Sequence, residues 1–201
     1  MWAFVESENI TKIYTRPKGI TVGDVNYPKN IFKLWTSSEL EALGIYEIVI
    51  DNTNLKDTTY YKNTDQSFAF ADGVATASYG TATAKPLDNV LWTAEDEAAF
   101  AWKVEGEIKQ VGIRQSYIDT INQQAGSLLQ ATDWMVVRAA EGGTAVPSSI
   151  TTWRAAVRTK ANAMCTAIGN VADIDALAAL YVYNDATPPV KPLGEFPVLG
   201  A

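Results

Sequence analysis

Apolar residues along this chain follow two rhythms, and the change falls near residue 88. Before it, short runs rich in β-branched and aromatic residues alternate with turn formers: WAFVE, ITKIYTR and ITVGDVNYP within residues 1–35, then IYEIVI, TTYYK, SFAFA and GVATASYGTATA. Such runs predict short strands in hairpins or a meander. Asp72-Gly73, between the last two, is a strong two-residue hairpin turn because both positions tolerate positive φ. Thr36-Ser37-Ser38-Glu39 reads as a capping box and predicts one short helix near 37–43, which Gly44 closes. Residues 1–88 therefore read as a small antiparallel β domain.

Lys85-Pro86-Leu87-Asp88-Asn89 marks the boundary, since the helical period begins after it. Glu95, Asp96 and Glu97 suit a first helical turn. Val104, Ile108, Val111, Ile118, Ile121, Ala125 and Leu128 then recur at helical spacing, which predicts a long helix over about 93–131 with one narrow seam for a second copy or a later helix. Gly106, Gly112 and Gly126 each weaken it by about 1 kcal/mol relative to alanine, and Gln115 breaks the seam. Thr132-Asp133-Trp134 then reads as a corner. Trp134 is expected to fold back between the helices, so that its truncation costs about 3 to 5 kcal/mol. Asp133 is expected to cap amides or to pair with Arg138, Arg154 or Arg158.

Pro147-Ser148-Ser149 opens a second helix over about 149–168, with Ile150, Trp153, Val157, Ala161, Met164 and Ile168 on one face. Asp173 caps a shorter one over about 173–181. Residues 89–183 thus form a helical domain. Residues 184–201 hold four prolines and read as an extended arm, with Phe196, Val198 and Leu199 available to dock on a neighbouring subunit. The fold class is α+β: a small N-terminal antiparallel β domain, then a long helix and a C-terminal helical hairpin with an extended Pro-rich tail.

Composition narrows the function. A chain of 201 residues, 47% apolar, has the length for one or two domains with a real core. A formal charge of −7 opposes sequence-independent nucleic-acid binding. No apolar run approaches the roughly 20 residues needed to cross a bilayer. The opening MWAFVESENI lacks the features of a secretory signal, so synthesis in a cytoplasm is expected. The chain has no histidine. That removes the usual general base, the commonest zinc ligand, and Ser/His or Cys/His nucleophiles. The single cysteine, Cys165, lies in the apolar run AMCTAI and reads as a buried, inert thiol.

Carboxylate pairs exist at Asp51/Asp57, Glu95/Glu97 and Asp173/Asp175, yet each sits where a cap or turn explains it. No glycine pattern forms a phosphate cradle. No metal, cofactor or enzymatic activity is expected; a two-carboxylate glycosidase would need two acids facing each other across a cleft. Tyr60, Tyr61, Phe68, Phe70 and Tyr79 are either cross-strand core pairs or a face for host polysaccharide. Trp102, Trp134 and Trp153 are expected to anchor contacts between helices.

The segment IRQSYIDTINQQAGSLLQATDWMVVRAAEGGTAVPSSITTWRAAVRTKANAM resembles the C-terminal region of bacteriophage tail fibre assembly proteins and related tail-associated proteins. The likeness rests on Leu128, Leu129, Thr132, Asp133, Trp134, Pro147, Trp153, Arg154 and Arg158. GDVNYPKNIFKLWTSSELEALGIYEI and the later Tyr60-Tyr61 look like what many phage tail proteins place ahead of that region. Trp153 stands where a tyrosine is more usual, and residues 65–92 resemble nothing comparable. The resemblance implies a non-enzymatic protein whose partners are other phage tail proteins: fibre, baseplate or tail tube components. Such a protein is expected to be made in the host bacterial cytoplasm and carried in the virion tail; as a homo-oligomer, its expected interfaces are the seam Val104, Ile108, Val111, Ile118, Ile121 and Leu128 and the arm residues Phe196, Val198 and Leu199. A fibre-assembly chaperone absent from the mature particle is the alternative within the same resemblance.

Overall fold

The computed structural model describes residues 1–100 and 102–200. Ala101 and Ala201, which fall within the expected long helix and arm, lie outside the described residues. The chain divides between Thr83 and Ala84.

The first unit is built on a five-stranded sheet, β1 (Trp2–Glu6), β2 (Asn9–Tyr14), β5 (Ile45–Asp51), β7 (Gln66–Ala71) and β8 (Val74–Tyr79), in the order β2-β1-β5-β8-β7. Two-residue β6 (Tyr61–Lys62) and β9 (Thr83–Ala84) lie outside it. The turn between β7 and β8 is Asp72-Gly73, with φ of 51° and 78°, as hairpin chemistry demands. The sheet is not purely antiparallel, because β5 and β8 run parallel, with Ile48 opposite Ala75. One face packs Ala3, Ile48, Ala75 and Ala77 under Tyr46 and Phe70, whose rings meet at 4.6 Å.

The opposite face is covered by the hairpin of β3 (Ile20–Val22) and β4 (Val25–Tyr27) and by two short helices, α1 (Ile31–Leu34) and α2 (Ser37–Glu41). Tyr14, Ile20, Ile31, Phe32, Leu40 and Ile45 form its core. The capping box at α2 is complete, with Glu39 Oε2 accepting the Thr36 amide at 2.7 Å. Gly44 ends the turn at φ 80°, and a Cβ there would meet the Val5 carbonyl oxygen at 2.7 Å. Only glycine fits both the angle and the space.

The second unit corrects the expected helix over 93–131. Its first part is α3 (Ala94–Ala99), six residues capped by Thr93, followed by a turn and a strand. β10 (Val90–Leu91) pairs with β11 (Ile108–Gln110). Gly106 at φ 84° cannot continue a right-handed helix, and its amide is given to the Trp92 carbonyl instead. The spacing of Val104, Ile108 and Val111 therefore mimics a helix that the backbone does not form. The long helix, α4 (Ile113–Ala140), starts at Gly112 and runs 28 residues straight through Thr132-Asp133-Trp134. It ends at Gly142, φ 84°, where the Gly143 amide reaches the Arg138 carbonyl and the Gly142 amide that of Ala139, a Schellman stop. Then come α5 (Ser148–Gly169) and α6 (Ile174–Ala179), the latter capped by Asp173. Ile121, Ala125 and Thr132 of α4 and Val157, Ala161, Met164 and Ile168 of α5 are the buried residues of the hairpin.

Candidate functional site

Leu129, Thr132, Asp133 and Arg154 meet across the α4–α5 hairpin. Leu129, Thr132 and Asp133 are three and four residues apart and so share one face of α4. Arg154 of α5 reaches that face with its fork. One guanidinium nitrogen donates to the Leu129 carbonyl at 2.8 Å and to Thr132 Oγ1 at 2.6 Å; the other donates to Asp133 Oδ1 at 2.7 Å. Thr132 is the one polar side chain among the described residues that is buried, and its hydroxyl donates to Leu129 O. The Thr132, Asp133 and Arg154 side chains are thus used to join two helices. At the far end Arg114 does the same for the other terminus: its guanidinium donates to the Ile168 and Gly169 carbonyls at the end of α5 and pairs with Asp88 Oδ1 at 2.7 Å. A cation there also meets the negative end of the α5 dipole. Sequence spacing gave no sign of Arg114, because the carbonyls it binds lie more than fifty residues away.

Trp134 corrects the expected corner. With no corner, its side chain points away from the hairpin seam, 55% exposed, and the Arg138 guanidinium lies 4.8 Å from its ring centroid. Arg138 Nε is buried without a hydrogen-bond partner; the indole face supplies its electrostatic contact. Arg158 is exposed and lines a shallow cleft of about 260 Å³ with Val136, Val146 and Thr151.

The arm folds back on its own unit. Trp153 Nε1 donates to the Pro197 carbonyl, Lys160 Nζ to the Leu193 carbonyl, and the Leu193 amide to Leu180 O. Leu193 is buried, Phe196 half-buried, and Val198 and Leu199 exposed. Between the arm and α4 lies a cleft of about 320 Å³ lined by Tyr117, Ile121, Met164, Tyr181, Lys191 and Glu195. At its rim the Tyr183 hydroxyl donates to Glu195 Oε1 at 2.6 Å, and Lys191 pairs with the same oxygen at 2.9 Å. The Tyr183 hydrogen bond and then Lys191 hold the Glu195 carboxyl below its ordinary range; the bond to Glu195 raises Lys191.

The expected seam for a second copy is not one surface. Val104, Ile108 and Val111 precede α4 and are exposed; Ile118 is half-buried; Ile121 is buried against α5; Leu128 is on the exposed side. Tyr60 is buried, and Tyr61 carries Lys56 over its ring. Asp51 and Asp57 each accept an amide two residues on, from Thr53 and Thr59. Cys165 is half-buried, its Sγ 3.7 Å from Asn122 Oδ1, and burial raises its thiol. Among the described residues no three potential ligands gather around a metal position, and no helix is long and apolar enough to cross a membrane.

No family model, curated protein or solved structure matches the chain.

One cluster was missed by sequence reasoning, which assigned its residues to a helix. In the excursion from Val90 to Gln110, Lys103 Nζ lies 4.1 Å from the centroid of Phe100, 4.7 Å from Trp92 and 5.4 Å from Trp102. Lys109 also faces Trp92, and both lysines pair with Asp96.

Proposed function

We propose that the chain is a non-catalytic structural or adaptor part of a phage tail, at the fibre or baseplate, that works as an oligomer through contacts with other tail proteins. The observation that carries this reading is the direction of the motif side chains. Arg154, Thr132 and Asp133 are consumed in holding the hairpin together, whereas Trp134, Val136 and Val137 are left facing outward. A motif that builds a rigid hairpin and presents apolar groups from it suits assembly better than chemistry.

Mass spectrometry of purified particles tests the assignment. The chain should be present in fixed ratio to fibre or baseplate proteins. Its absence from fibre-bearing particles, with presence in the infected-cell lysate, would assign it to the chaperone branch instead. Light scattering of the isolated chain measures the oligomer, and a monomer at all concentrations would remove that part of the reading.

A further inference from the structure

The excursion Val90–Gln110 lacks a core of its own. None of its described residues is buried, and only Trp92, Asp96 and Lys103 are half-buried. Two-stranded hairpins without a covered face are marginally stable in water. What organises this one is the cation–π cluster under Lys103, which stacks Trp92 edge-on against Trp102 at 5.7 Å and leaves Trp102 71% exposed. Phe100, Val104, Leu91 and Ile108 are also outward, at 45 to 53%. Trp102 is thus a large, preorganised apolar anchor of the kind that dominates interfaces.

The surrounding charge selects what covers it. The excursion holds Glu95, Asp96, Glu97, Glu105 and Glu107 against two lysines, and both lysines are already paired with Asp96. Glu95, Glu97, Glu105 and Glu107 are exposed and make no ion pair among the described residues. Glu97 and Glu105 lie together on either side of Trp102 in sequence, with the Glu105 amide donating to Glu97 Oε2. An exposed indole on an excursion with unpaired exposed carboxylates suits a guanidinium, which can stack on the ring and pair with an acid. Phosphate backbones are repelled, and so is the same acidic surface of a second copy.

We propose that Trp102, Phe100, Glu97 and Glu105 form a docking surface for a cationic, arginine-bearing segment of another protein. The surface stands whether or not the chain rides in a virion, so particle composition and the experiment below fail independently. A displayed library of random dodecapeptides is selected on the full chain, and the strongest sequence is synthesised and titrated by fluorescence anisotropy. Selected peptides should join Arg or Lys to an aromatic or leucine. Trp102→Ala and the double variant Glu97→Lys/Glu105→Lys should each weaken binding by about tenfold or more, and Trp102→Phe, which keeps a ring in the cluster, should bind more tightly than Trp102→Ala; the far-UV circular dichroism of α4 and α5, which lie outside the excursion, should be unchanged. Binding of the wild type should weaken several-fold as salt rises. No enrichment over background, an acidic or neutral consensus, or equal affinity in Trp102→Ala overturns the proposal. So does a dimer in sedimentation equilibrium that Trp102→Ala dissociates, which would give the surface to a second copy.

Discussion

Removing the Arg154 side chain is the sharpest test of how the hairpin is held. Arg154→Ala deletes two part-buried hydrogen bonds, to Leu129 O and Thr132 Oγ1, and one ion pair to Asp133. The Arg154 side chain is 12% exposed, but Asp133 is 55% exposed, so solvent screens that pair to under about 1 kcal/mol. The two inner bonds have a charged donor and, with one nitrogen serving both, contribute about 1.5 kcal/mol each, the low end for such bonds. The expected loss is about 3 kcal/mol, which lowers the melting temperature by roughly 6 to 12 °C in a chain of this size. Arg154→Lys should recover about a third of that at most, because a single ammonium cannot span three acceptors on one helix face. Asp133→Ala should cost under about 1 kcal/mol. Calorimetry and urea titration followed by far-UV circular dichroism give the order. An Arg154→Ala melt within about 2 °C of wild type, or an Asp133→Ala loss equal to it, would refute the account.

Three other outcomes follow from the geometry. Trp134→Ala should change stability by under about 1 kcal/mol, since surface substitutions are usually small; a loss of 3 kcal/mol or more in chemical denaturation would place the indole in a core. Gly112→Ala should destabilise by about 2 kcal/mol or more, because a Cβ would meet the Leu87 carbonyl oxygen at 2.5 Å and that of Asp88 at 2.6 Å; an unchanged melt would remove residues 87–88 from the start of α4. Docking of the arm should depend on pH. Glu195 has its folded value lowered from 4.5, so its contribution is full above that and is lost as pH falls through the folded value. Lys191 has its value raised from 10.5, so its contribution is full below that and is lost as pH rises through the folded value. Hydrogen-exchange protection of the Leu193 amide, corrected for intrinsic rate, should fall at acid pH and lose that dependence in Glu195→Gln; equal acid sensitivity in the variant would assign the effect elsewhere.

Elements whose ends are fixed by local chemistry were legible in the sequence. Thr36 with Glu39, Asp72-Gly73 and Asp173 each specify a start or turn within a few residues, and the structure uses all three at those places. The long helix was misplaced because its start is set by groups remote in sequence. The amides of Gly112, Ile113 and Arg114 are accepted by Asn89 Oδ1 and by the carbonyls of Pro86 and Leu87, so a segment more than twenty residues upstream decides where α4 begins. Spacing alone could not separate Val104 and Ile108 from Ile118 and Ile121. The decisive signal was Gly106, whose cost was read as a weak helix position when its φ of 84° marks a turn.

The same distinction explains why Thr132-Asp133-Trp134 invited a reading as a corner. A polar pair followed by tryptophan looks like the edge of a helix when only local hydrogen bonding is counted. Here the competing local bond is absorbed: the Thr132 hydroxyl bonds to Leu129 O within the helix, and Arg154 bonds to both from outside. A threonine that would weaken an isolated helix therefore becomes the point at which a second helix is fixed in register. A residue without a hydroxyl at 132 loses an acceptor for a guanidinium that is nearly out of water. Valine matches the shape without the hydroxyl, so Thr132→Val should lower stability by about 1 to 2 kcal/mol despite its greater hydrophobicity; a stabilised Thr132→Val protein in the urea titration would show that the hydroxyl is incidental.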